Sequence, residues 1–238
     1  VTEGTCNVEN VRSLNITQAS HGPTRRRTQQ ERREQTRRAL IAAVLDLTTS
    51  GAAFDGLSLR QVTQGARVAP SAFYRYFSSM DDLGLAVVEE CFRRLRSPLA
   101  GASSVDNSAS PGSIVKKGVR MLCEYVTQDH RHLAFVARQR AAGNPVLRRA
   151  VRQEIRLLTS QMATFLARFD PLNRWSVRDV EMLASLIVVT LTSGIDSMLE
   201  ILTSDRSDPN SPELQGVAVG LQRQVFFILG AVPAWRST

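Results

Sequence analysis

Apolar residues recur at helical spacing along almost the whole chain, and nowhere do they alternate with polar ones as a half-buried strand requires. From Thr28 the first such run places Leu40, Ile41, Val44 and Leu47 on one face. It stops at Ser50-Gly51, where glycine can take the left-handed cap position. Phe54 follows as an apolar anchor. Ser58 then reads as the N-cap of a short helix with Leu59, Val62 and Ala66 on one side. "RVAP", residues 67–70, is a tight turn, and Pro70 suits the first turn of another short helix. Two short helices joined by a tight turn and braced by a longer one predict a helix-turn-helix.

A fourth helix is announced by Ser78 with Asp81, or in the competing frame by Ser79 with Asp82. It carries Leu83, Val87, Cys91 and Leu95 to about Pro98. The Gly/Ser/Ala-rich segment after it reads as a loop, and helical spacing resumes over 114–125 and again over 133–141 until Gly143-Asn144-Pro145 breaks it. Leu147, Val151, Ile155, Leu158, Met162, Phe165 and Phe169 then line one face, with Arg148, Arg149, Arg152 and Arg156 on a solvated one. Ser176 with Asp179 opens a helix to Leu202 that is apolar nearly all round, so something must cover more than one of its faces. A last helix holds Val225 to Leu229 and ends before Pro233. The expected fold class is all-α. Residues 1–24 are expected to form a flexible tail, 25–77 a three-helix helix-turn-helix domain, and 78–232 a helical domain whose apolar surplus points to dimerisation. A charge at Ile187, Ile195 or Phe226 is expected to disrupt the dimer.

The segment "APSAFYRYF", residues 69–77, has three kinds of large side chain on a helix too short to bury them all. Phe73 and Phe77, four apart, share a face and dock inward. Ser71, Ala72, Tyr74, Arg75 and Tyr76 are left on or beside a surface that fits the major groove of DNA. Charge changes the picture in the same direction. The net charge is +8, with Lys116 and Lys117 the only lysines, and seven arginines stand between Arg25 and Arg38 against Glu31 and Glu34. Arginine-rich arms favour a polyanion. An arm of Arg25, Arg26 and Arg27, together with Arg60, is therefore expected to add backbone or minor-groove contacts.

The stretch from Thr36 to Glu90 resembles the amino-terminal DNA-binding domain of the TetR family of bacterial repressors. The likeness is carried by Thr36-Arg37, by Ser58-Leu59-Arg60 and by the aromatic run Phe73 to Phe77. The resemblance implies DNA contacts from these positions and from Ala69 and Pro70. The chain departs from many members in having Met80 where they have lysine. That feature, with "FYRYFSSMDDLGL", is similar to the FabR and DesT branch that represses unsaturated fatty acid synthesis, and a weaker likeness continues over residues 131–155. It implies a cytoplasmic homodimer on a pseudo-palindromic operator, with residues 78–232 as a regulatory and dimerisation domain and the last two helices of each subunit forming a four-helix interface. The implied effector is a long-chain fatty acyl-CoA or acyl-carrier protein. Phe92, Leu95, Met121, Leu122, Phe135, Met162, Phe165 and Leu186 are the candidate apolar wall residues of its cavity.

Other chemistry finds little footing. Three cysteines, Cys6, Cys91 and Cys123, lack metal spacing and read as single thiols in a reducing compartment. His130-Arg131-His132 reads as a polar helix start rather than a metal site, since residues two apart on a helix point apart. No phosphate cradle, paired-carboxylate signature or nucleophile motif occurs, so an enzyme reading is rejected and no cofactor is expected. The apolar run 182–195 is too short and interrupted to span a bilayer, and no signal peptide is evident. The competing readings are a regulator that senses an aromatic or cationic drug, and a helical lipid or acyl carrier without DNA binding.

Overall fold

The computed structural model describes residues 28–102, 110–142, 144–203 and 211–237. The tail over 1–24, the arm Arg25 to Arg27 and Cys6 lie outside them. The described residues hold eight α-helices and no strand. The fold is all-α, with an amino-terminal helix-turn-helix and a larger helical body.

Helix α1 (Gln29–Thr49) opens on a capping box: the Thr28 hydroxyl accepts from Glu31 N and the Glu31 carboxylate accepts from Thr28 N. It ends as expected, with Gly51 at φ 100°. Ser58 caps α2 (Leu59–Gly65) reciprocally with Gln61. Pro70 starts α3 (Pro70–Phe73), which has only 4 residues. The aromatic run is thus a helical turn continued as a non-helical one rather than a full helix.

Helix α4 (Met80–Ala102) uses the second of the two frames. Ser79 Oγ accepts from Asp82 N, while the Asp82 carboxylate accepts from Ser78 N at 2.9 Å. The two runs expected over 114–125 and 133–141 are one helix, α5 (Pro111–Ala142), kinked at Asp129, where φ −116° and ψ 25° leave the helical region. His130 and His132 therefore sit within α5, just past the kink, and not at a helix start. Asn144 caps α6 (Pro145–Leu166), which ends before Phe169.

Ser176 caps α7 (Val177–Leu202), and Ser237 Oγ receives the Ser176 amide at 2.7 Å, so the carboxy-terminal residues tie down the start of that helix. Helix α8 (Pro212–Gly230) packs against α7 where Gly194 leaves room. A Cβ there would stand 2.4 Å from a Leu221 methyl. By length and composition both α7 and α8 could cross a membrane. Each nonetheless buries one face inside the subunit, Leu183, Ala184 and Ile187 from α7 and Leu214, Leu221 and Val225 from α8. Ile187 is thus covered by its own chain, which removes it from the expected intersubunit positions. Phe226, beside Gly112, is only marginally exposed, and Ile195 is half-buried.

Candidate nucleic-acid interface and regulatory body

A four-residue helix cannot hold itself in water. What fixes α3 is Phe73, fully buried in the core that also holds Leu40, Val44, Phe54 and Val62, and edge-on to Tyr74 at 5.5 Å, with the Phe77 ring 5.8 Å away. The turn before it contains Arg67 at φ 56°, a left-handed residue where no glycine hints at one. The turn expected over residues 67–70 is present, and its left-handed position is taken by an arginine.

With the phenylalanines inside, Tyr74 is 67% exposed and Ser71 and Arg75 are exposed as well. Ala72 and Tyr76 are half-buried, and Tyr76 packs on the core. Ala69 and Pro70 are exposed at the start of the helix. Across the turn Arg60 is exposed, whereas Leu59 packs against the core and the Ser58 hydroxyl is already engaged with Gln61. Thr36 Oγ1 donates to Arg32 O within α1, and the Arg37 guanidinium lies over the Phe77 ring at 5.8 Å. The structure therefore brings Ser71, Tyr74, Arg75 and Arg60 outward, with Ser58 in a capping role and Leu59 in a packing role.

The head is joined to the body through α5. Phe135 meets Phe54 edge-on at 5.5 Å, Arg131 donates to the Asp46 carboxylate, and Arg138 donates to the Thr48 carbonyl at the end of α1. Those arginine contacts span more than eighty residues of chain, and no local pattern announced them. The expected wall residues do not gather around one cavity. Phe92 and Phe135 are buried core, Leu95 and Leu122 pack beside them, and Met162 belongs to a second cluster with Leu172, Val180 and Leu183. Phe165 stacks on Phe169 at 5.1 Å. Leu186 is 51% exposed on the outside of α7, because the inward positions of that helix are filled by Leu183 and Ile187. Met121 alone of the eight lines a groove of about 630 Å³ between α4 and α5, with Arg93, Arg94, Glu124, Tyr125, Gln128 and Asp129.

Beside that groove lies a half-buried polar knot. Arg94 donates to Glu90 Oε1 at 2.9 and 3.1 Å and to Asp129 Oδ1 at 2.8 Å, which ties α4 to the kink of α5. His132 Nδ1 is 3.5 Å from Asp129, and its Nε2, 4.0 Å from Glu90, has no hydrogen-bond partner. Among the described residues no group of three or more His, Cys, Asp and Glu is arranged to hold a metal ion. Burial pushes the Cys91 thiol up to about 12, which keeps it protonated and inert. Burial, with the Arg94 charge beside it, holds His132 below the usual histidine value. The native state therefore binds fewer protons than the unfolded chain just below pH ~6.5, so stability should fall as pH drops through that point. Urea unfolding at pH 5, 6 and 7 is expected to show a slope that His132→Gln flattens. An unchanged slope would mean that His132 is not the group responsible.

Residues 50–87 match the family model described as bacterial regulatory proteins, tetR family. Similar solved structures include a transcriptional regulator from Rhodococcus sp. Rha1, 19% identical with a TM-score of 0.59 over 82% of this chain and 96% of that one. The fatty acid degradation regulator FadR from Bacillus halodurans is 15% identical, with a TM-score of 0.62 over 82% of this chain and 95% of that one. A TetR-family transcriptional regulator from Streptomyces coelicolor is 18% identical, with a TM-score of 0.59 over 84% and 96%. These likenesses establish the fold. The family match runs from the residue after α1 through α2 and α3 into α4.

Proposed function

We propose that the chain is a cytoplasmic, homodimeric repressor that binds a pseudo-palindromic DNA operator through α3 and is released or tightened by a small apolar effector. The observation that carries the DNA reading is the division of labour across α3 and the turn that continues it: Phe73 wholly buried, and Tyr74 and Arg75 directly after it exposed to solvent. An exposed arginine there can pair with guanine, and an exposed tyrosine can reach phosphate or base. In a gel shift with the DNA flanking its own gene, Arg75→Ala should cost about 1–3 kcal/mol of specific binding and leave non-specific binding nearly unchanged. Wild-type operator affinity in both Arg75→Ala and Tyr74→Ala would remove α3 from the groove.

For the effector we take a long-chain fatty acyl thioester, carried by CoA or by acyl-carrier protein. The support is the sequence likeness to the FabR and DesT branch and the likeness in fold to a fatty acid degradation regulator. An effector acts only if it binds two arrangements of the heads unequally. The contacts of Arg131, Arg138 and Phe135 with the head supply a path from body to α1. Operator binding titrated with palmitoyl-CoA, oleoyl-CoA, free CoA and a cationic dye tests the class. A response to the dye and to neither thioester would replace the fatty acyl effector by a drug-like one.

A further inference from the structure

Helix α4 begins with Met80, Asp81 and Asp82, so the end of the body nearest α3 has no cation of its own on that helix. Helix α6 begins at the same place. Asn144 Nδ2 donates to Asp81 Oδ1 at 2.8 Å, and Leu147, fully buried, fills the space where a Cβ on Gly84 would come within 2.8 Å of it. Ala150, Gln153 and Glu154 then face Arg37, Tyr76 and Phe77 across a cleft of about 390 Å³, so the first turns of α6 flank the segment that carries Arg75.

With Leu147 and Val151 turned inward, Arg149, Arg152 and Arg156 project outward at i, i+3 and i+7, all exposed. Among the described residues none of the three has an ion pair. Glu154, the acid on the same helix, is taken by Arg96 from α4. We infer that Arg149 and Arg152 are phosphate-binding residues, a shoulder of the regulatory body that grips the DNA backbone beside each half-site. This rests on the DNA-binding reading above and extends the footprint from the head to α6.

Position along the helix grades the effect. At about 1.5 Å of rise per residue, Arg149, Arg152 and Arg156 stand roughly 7, 12 and 18 Å from Asn144. With a Debye length of about 8 Å at physiological salt, Arg156, the farthest of the three from the end of the helix beside α3, contributes least. It belongs to the same stripe and is the internal control.

The test is equilibrium binding of the full chain to an operator duplex with flanking DNA and to an unrelated duplex of the same length, from 50 to 300 mM salt. Each lost phosphate contact flattens the slope of log K against log salt by about 0.9, so Arg149→Gln with Arg152→Gln should flatten it by roughly 2 per subunit bound. Affinity should fall on both duplexes alike, leaving their ratio unchanged. Arg156→Gln should keep the wild-type slope, and Arg149→Lys with Arg152→Lys should keep most of it. A double variant with the wild-type slope returns these arginines to a merely solvated face and overturns the inference. So does a loss confined to the operator, which would mean that they act through α3. A wild-type chain that binds neither duplex brings down the DNA-binding reading itself, a result distinct from both.

Discussion

Phe227→Glu is expected to turn the protein into a folded monomer. Phe227 is 86% exposed on α8 and Val189 64% exposed on α7, and Met182 and Leu186 extend the same apolar face of α7 while Val219 extends that of α8. Among the described residues these side chains stay largely uncovered, and an apolar surface of this extent marks an association site. A glutamate brought under a second copy would lose its hydration without gaining a partner, at a cost of several kcal/mol per subunit. Light scattering at micromolar concentration should then report half the wild-type mass. Thermal unfolding of the subunit should change little, because the side chain makes few contacts at home. Without the second head, affinity for a palindromic operator should drop by about 10²–10⁴-fold, while weak half-site binding persists. Val189→Glu should behave alike. Ile187→Glu would not separate the two effects, since Ile187 lies in the subunit's own core and its loss would unfold the chain. A Phe227→Glu protein that remains dimeric with unaltered operator binding would place the interface elsewhere.

Phe73→Ala should abolish operator binding by releasing α3. Truncating a fully buried phenylalanine costs about 3–5 kcal/mol, and this one supports a helix of one turn that has no stability apart from it. The damage should stay near the head. Both tryptophans, Trp175 and Trp235, lie in the body with ring centroids 6.5 Å apart, so their emission follows body unfolding separately. The expected result is lost DNA binding and early loss of helical signal, with the tryptophan transition shifted less. Wild-type operator affinity in Phe73→Ala would show that α3 does not depend on this wedge. Tyr74→Ala is the contrasting case, because its exposed ring can be removed without leaving a cavity.

How much of this was legible beforehand follows from the range of each interaction. The existence and order of the helices, the turn at Gly51, the caps at Ser58 and Ser176, and the inward direction of Phe73 and Phe77 depend on spacing and on neighbours within about four residues, and these the chain displays openly. Fusion of two expected segments into a kinked α5 was less visible. Residues 126–132 are polar enough to read as a break, yet Arg94 from α4 holds Asp129 at the kink, a contact made across 35 residues. Separations of 85 and 90 residues likewise hid the anchoring of α1 by Arg131 and Arg138.

The apolar surplus of the 177–202 segment was plain from composition. Which residues stay inside the subunit and which are left for a partner depended on where α8 and α6 came to lie. Hence Ile187 and Leu186, adjacent and alike in chemistry, ended on opposite sides. The sequence by itself determined the all-helical class, the helix-turn-helix and the exposed residues of α3, because local periodicity and capping suffice for those. Only the tertiary structure decided the polar knot that ties Arg94 and Glu90 to Asp129 and His132, the outward place of Leu186, and the meeting of α6 with the start of α4. Each of these is settled by packing between elements far apart in the chain, and periodicity carries no information about which faces will meet.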